Sequence, residues 1–175
     1  MDDEQLMDVG SSMDDEQRTR IVQALHDDPA MLVLAVTGGG VAAISDLLVI
    51  PGASRTVLEV VVPYAASALS DLVGRMEGHV SEQTALSMAR AARQRALLLA
   101  PGDGVGPLWG VGATAALATD RARRGDDRAW IALDDGERAQ VERVEPDPGD
   151  RVTQDRQVAD AILAMLARQG QTAAG

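Results

Sequence analysis

Residues 31–40 read MLVLAVTGGG. Met31 to Val36 form a continuous apolar run, too short for an ordinary helix and too unbroken for a strand with one wet face. This predicts a strand buried on both faces, as in a parallel sheet covered by helices. Thr37-Gly38-Gly39-Gly40 then predicts a turn. Val41 to Ile50 reads as a helix closed by Pro51-Gly52.

The flanks agree with that centre. Ser12, with Asp14, Asp15 and Glu16 behind it, reads as a helix opening, because carboxylates suit the positive end of the dipole. Ile21, Val22 and Leu25 share its inner face, and Pro29 stops it. Val57 to Val62 is a second β-branched strand, and Tyr64 to Val73 a second core helix. Ser81 and Glu82 open a longer helix to about Leu98, with Arg90, Arg93 and Gln94 facing solvent. Residues 101–107 form a loop. Leu108 to Gly112, Ala129 to Leu133 and Gln140 to Val144 read as strands, the last as an edge. Asp150 begins a final helix striped by Val158, Ile162, Met165 and Leu166. The order of elements predicts an α/β fold, a three-layer α/β/α sandwich. The hairpin spacing of the late strands makes its sheet mixed, with about five strands. Residues 13–170 form one domain, 1–12 a flexible acidic arm and 171–175 a frayed tail. Met-Asp-Asp-Glu-Gln occurs at 1–5 and again at 13–17, which is too short to be a structural repeat.

Composition narrows the chemistry. The chain has 175 residues, a formal charge of -11 and no Cys. Disulfides, a thiolate nucleophile and a Cys-zinc site are excluded. Its two histidines, His26 and His79, are far apart, which argues against a His-built metal centre. Every cationic side chain is Arg, so no P-loop lysine, Schiff base or Ser–Lys dyad is available. The acidic surface repels phosphate backbones, and aromatics make up 2%, so nucleic acid is not an expected partner. The apolar runs are too short to cross a bilayer, and the acidic start is unlike a secretory leader, so no membrane role and a cytoplasmic location are expected. No cofactor or metal is expected.

Three segments are candidate ligand sites. Thr37, Gly38, Gly39 and Gly40 lie between a buried strand and a helix, where converging amides suit an anion. The alternative is a tight strand-to-helix turn. Gly110, Gly112 and Thr114 belong to a small-residue segment that runs into Arg121, Arg123 and Arg124, the one dense basic cluster. Arginine grips phosphate bidentately. The alternative is a solvated hairpin whose arginines pair with Asp120, Asp126 and Asp127. Ser54 and Arg55 follow Pro51-Gly52, where a plain turn is the competing reading. Tyr64, the only Tyr, carries a hydroxyl able to orient a ligand. His79 is an acid or base candidate beside a helix start.

In order, these pieces resemble the CinA C-terminal domain family, which includes nicotinamide-mononucleotide amidohydrolases. The family's E-S-C-T-G-G meets Leu34-Ala35-Val36-Thr37-Gly38-Gly39 here, followed by Pro51-Gly52-Ala53-Ser54. Val61-Val62-Pro63-Tyr64 leads on to Leu72-Val73-Gly74. Val80-Ser81 with Ala85, Met88 and Ala89, then Ala129-Trp130-Ile131-Ala132-Leu133 and Gly149-Asp150-Arg151, complete the pattern. The likeness spans about residues 15 to 168. It implies the sandwich fold and a homo-oligomer, most simply a dimer.

The departures bear on chemistry. The family's presumed nucleophilic Ser falls on Ala35 and its Lys on Leu69. Neither side chain can attack a carbon centre or activate a group that does. The resemblance therefore implies a pocket for a small nucleotide or phosphorylated metabolite whose family-type catalytic groups are missing, with no catalytic residue assigned. Two alternatives stand beside it. In one, an amidohydrolase has rewired residues: Thr37, Ser54 or Thr114 as nucleophile or water-positioner, and Asp120 or Glu59 as base. In the other, the chain is a non-catalytic interaction subunit.

Overall fold

The computed structural model describes residues 12–102 and 106–173. The expected arm, apart from Ser12, and residues 174–175 lie outside the described residues. The elements are α1 (Asp15–Asp27), β1 (Met31–Thr37), α2 (Ala42–Val49), α3 (Ala53–Thr56), β2 (Val57–Val61), α4 (Ala66–Val73), α5 (Glu82–Leu99), β3 (Leu108–Ala116), β4 (Arg128–Asp134), β5 (Ala139–Val144) and α6 (Arg151–Ala173). The five strands form one mixed sheet in the order β2-β1-β3-β4-β5. β1 runs parallel to both of its neighbours, whereas β4 is antiparallel to β3 and β5.

β1 explains why its sequence shows no alternation. Leu32, Leu34 and Val36 enter a core shared with Leu47, Trp109, Ile162 and Leu166. Val33 and Ala35 point the opposite way, into a second core with Leu69, Met88, Ala92 and Ala96. Strand side chains alternate faces, so a strand between two helical layers needs apolar residues at every position. Residues of α1, α2 and α6 line the first core, and residues of α4 and α5 the second. Each fully buried Leu or Val contributes about 1.5–3 kcal/mol relative to exposure.

Several boundaries differ from the sequence reading, for local reasons. α1 is capped by Asp14 rather than Ser12. The Asp14 carboxylate accepts the Gln17 amide at 2.7 Å, and the Gln17 side chain accepts the Asp14 amide at 2.9 Å. This reciprocal pair satisfies two otherwise orphaned donors. Tyr64 and Ala65 precede α4 instead of opening it, and α3 is a short turn of helix inside what reads as a loop. α6 continues through Gly170 to Ala173. Arg93, expected in solvent, is half-buried and lies across Gly136 in the β4–β5 turn, where any Cβ would strike its guanidinium.

The largest correction concerns Gly110 to Ala116. The strand expected over Leu108 to Gly112 runs on to Ala116, with Gly110 to Thr114 paired on both sides and Ala115 and Ala116 with β4 alone. An added Cβ at Gly110 would meet the Ala89 carbonyl, and one at Gly112 the Ala85 carbonyl and Ala89 amide. These glycines let the α5 backbone lie flush on the strand, a steric need unrelated to ligand approach.

Candidate functional site

β1 sends the chain out to β2 on one side, and the return crossover through α4 and α5 delivers β3 on the other. The carboxyl ends of β1 and β3 therefore flank the point where the strand order reverses, where open α/β sheets characteristically leave a crevice. A cleft of about 280 Å³ lies there, lined by Thr37, Gly38, Tyr64, Ala66, Leu69, His79, Val80, Thr114 and Ala115.

Five of the residues singled out in the sequence, Thr37, Gly38, Tyr64, His79 and Thr114, meet in this cleft. Among the described residues, the Thr37 hydroxyl makes no hydrogen bond. Thr114 is committed, donating to the His79 carbonyl at 2.6 Å and so pinning that part of the cleft wall. Gly38 has φ 79°, and any Cβ there would collide with the Ala115 carbonyl. Glycine at this position is dictated by the close approach of the turn to β3.

The amides near Gly40 are already occupied. Asp155, on the second turn of α6, accepts the amides of Gly40 at 2.7 Å, Val41 at 3.1 Å and Ala42 at 3.0 Å. The α2 N-terminus thus binds a carboxylate, as its dipole favours, but the carboxylate belongs to the chain itself. Gly39 is shut in by Leu117 and Ala115, and Gly40 by Val158 and Ile162.

The other expected residues lie elsewhere. Ser54 is exposed on α3. Gly110 and Gly112 are beneath α5. Arg121 and Arg124 are exposed in the β3–β4 connection, and Arg123 pairs with Asp127 as in the solvated-hairpin reading. The bases considered for rewired chemistry are also apart from the cleft. Glu59 is held by Arg95 at 2.8 and 3.0 Å, which keeps its carboxyl below the usual range. Asp120 accepts from the neighbouring Thr119 hydroxyl.

Arg151 is the functional candidate that sequence reasoning left in the background. Its guanidinium donates to the Gly38 carbonyl at 2.7 Å and the Ala118 carbonyl at 3.2 Å, and reaches the Tyr64 hydroxyl at 3.4 Å. All three acceptors are uncharged, and two belong to cleft-lining residues. The available signal was the Gly149-Asp150-Arg151 triplet at the head of the last helix. Asp155 carried no motif, and only the fold brings it to Gly40.

No protein family matches the chain, and no curated protein matches it. Solved structures do. A CinA superfamily protein from Enterobacter cloacae superposes with a TM-score of 0.69 at 18% identity, over 87% of this chain and 90% of that one. The competence/damage inducible protein CihA from Agrobacterium tumefaciens gives 0.66 at 22% identity, over 87% and 93%. A CinA superfamily protein from Klebsiella pneumoniae gives 0.66 at 18%, over 91% and 96%. The chain thus has the fold of the CinA superfamily proteins, as its motif order led us to expect. At these identities the likeness establishes the fold alone.

Proposed function

We propose that the chain is a CinA-like domain that binds a small phosphorylated molecule of nucleotide type in the cleft between β1 and β3, without family-type amide hydrolysis. One observation carries the reading. The cleft keeps polar lining and has beside it Arg151, whose hydrogen bonds among the described residues go to neutral acceptors, while the positions aligned with the family's reactive groups are apolar. Ala35 and Leu69 share one buried hydrophobic cluster with Met88 and Val33. Arg151 supplies a fixed positive charge beside Gly38 and Tyr64, suited to a phosphate oxygen. Thr37 supplies an uncommitted hydroxyl. The Gly40 amides take no part, because Asp155 fills them.

Calorimetric titration with inorganic phosphate, nicotinamide mononucleotide and its acid form tests this. Saturable binding of at least one is expected, weakened about tenfold or more by Arg151→Gln, as for loss of a charge-assisted hydrogen bond. Absence of binding across the three overturns the reading. A second reading, rewired chemistry, is favoured only by the free Thr37 hydroxyl. Ammonia release from nicotinamide mononucleotide that is abolished by Thr37→Val would support it.

A further inference from the structure

The stretch 74–81, between α4 and α5, holds no helix or strand, yet three successive carbonyls in it are each bonded by a side chain of a regular element. Thr84 of α5 donates to Gly78 at 2.7 Å, Thr114 of β3 to His79 at 2.6 Å and Arg128 of β4 to Val80 at 3.4 Å. Thr84 and Thr114 are buried, so two of these anchors are shielded from water. All three act on backbone, and among the described residues the His79 imidazole makes no hydrogen bond or ion pair. His79 is exposed and lines the cleft. Of the nine lining residues, it alone can become a cation near neutral pH. The charged and titratable groups around it are Glu77 and Glu82 on either side in sequence, Arg128 at Val80, Tyr64 in the cleft and Arg151 at Gly38.

We propose that His79 sets the cleft's specificity for a phosphate group: in its protonated form it pairs with one phosphate oxygen while Arg151 holds another. This rests on the ligand-binding reading above and names a second cationic contact for it. The backbone anchors give the imidazole a fixed base, which reduces the ordering that a loose loop would undergo on binding. An imidazolium and a guanidinium from different elements suit an anion with several oxygens and two charges better than they suit a carboxylate. Histidine changes charge between about pH 5 and pH 8, so the contact is strong at the acid end of that interval and lost at the alkaline end. A neutral ligand gains nothing from it.

Calorimetric titration of the full chain with inorganic phosphate, nicotinamide mononucleotide and its acid form, at about pH 5.5 and about pH 8, tests this with the parent and His79→Gln. The quantity read is the ratio of the two affinities at each pH. In that ratio the ligand's own ionisation cancels, and so does any effect of His26, which both proteins share. The parent is expected to bind about fivefold or more tighter than His79→Gln at the acid pH, and within about twofold of it at the alkaline pH. His79→Arg, charged at both, is expected to exceed His79→Gln by the same factor at both. Both variants are expected to melt with the parent, because the three anchors use backbone carbonyls that any residue supplies. Binding that persists with a parent-to-variant ratio unchanged between the two pH values overturns this inference and leaves the ligand-binding reading standing. Absence of binding at both pH values overturns that reading, and the inference falls with it.

Discussion

Asp155 binds Gly40 across the head of the first core: the carboxylate of one helix closes the open amides of another, with Gly40 at 2.7 Å. Because Val41 and Ala42 donate to the same group, its removal strands three amides at once. Asp155→Ala is expected to cost about 2–4 kcal/mol, more than a simple helix cap, since the acceptor is charged and shared. Asp155→Asn, which keeps one acceptor oxygen, is expected to recover part of that loss. Urea unfolding of the two variants checks the order. Equal stability of Asp155→Ala and the parent would show that water replaces the carboxylate freely.

Glycines of two kinds give a second prediction. Gly112 has backbone of α5 in the space where a Cβ would go, whereas Gly74, at φ 75°, has nothing within 4 Å. Gly112→Ala must push the helix off the strand, and is expected to lose about 3 kcal/mol or more. Gly74→Ala meets only the conformational penalty of a backbone at φ 75° and ψ -148°, about 1–3 kcal/mol. Thermal melting of both variants reads the difference. Similar losses would mean that α5 yields easily.

His26 makes stability pH-dependent in a defined sense. It is buried, with Nε2 at 3.0 Å from the Leu47 carbonyl and Nδ1 at 2.9 Å from the Thr56 hydroxyl. A carbonyl only accepts, so Nε2 carries the proton, while the Thr56 hydroxyl lies between Nδ1 and the Leu25 carbonyl, to which it donates at 3.3 Å. Burial lowers its pKa, against the pull of the Leu47 bond, and Arg55 nearby lowers it further. The unfolded chain then binds the proton more readily than the folded one. The stability contribution is whole above the ordinary histidine value and is lost as pH falls through it toward the folded value. A slope of up to about 1.4 kcal/mol per pH unit is expected across that window. His26→Gln should flatten that part of the profile, measured by urea unfolding between pH 5 and pH 7 or so. An unchanged slope would assign the dependence to other groups.

Placing a charged or polar side chain at Leu69 or Ala35 is expected to harm the protein. Leu69 shares an apolar cluster with Ala35 and Met88 and also lines the cleft, with only 3% of its surface exposed. Leu69→Lys places an ammonium there, at a cost of about 3 kcal/mol or more, unless the lysine loses its proton. Its folded pKa must then lie below the free value, so the variant should gain stability as pH rises toward 10 or so. Chemical unfolding at neutral and alkaline pH tests this. A Leu69→Lys, Ala35→Ser protein as stable at pH 7 as the parent would reveal a wetter cluster than the packing implies.

How much of this was legible in the sequence follows from range. β1 declared itself because burial on both faces writes an unbroken apolar run, and the parallel core followed from it. The α1 cap moved by two residues because Ser12 and Asp14 are both good caps, and only the Gln17 reciprocal bond separates them. Gly110 and Gly112, within a stretch that reads as a strand, also read as a candidate ligand segment because small residues satisfy either a ligand or a helix packed close, and composition does not tell these apart. Thr37, Gly38, Tyr64 and Thr114, singled out for separate local reasons, come together because the crevice at two strand ends is a consequence of element order. Asp155 reaches Gly40 across 115 residues of chain, and no local pattern encodes such a contact.

The route of the backbone through the sheet has one last consequence. The hollow beside Thr37 arises because the chain leaves one central strand leftward and comes back to its right, parting two helical crossovers like the halves of a seam. No single side chain maintains that gap, so no single replacement abolishes it. Substitutions at Ala35 or Leu69 therefore change what lines or underlies the cleft and leave its place in the sheet unaltered.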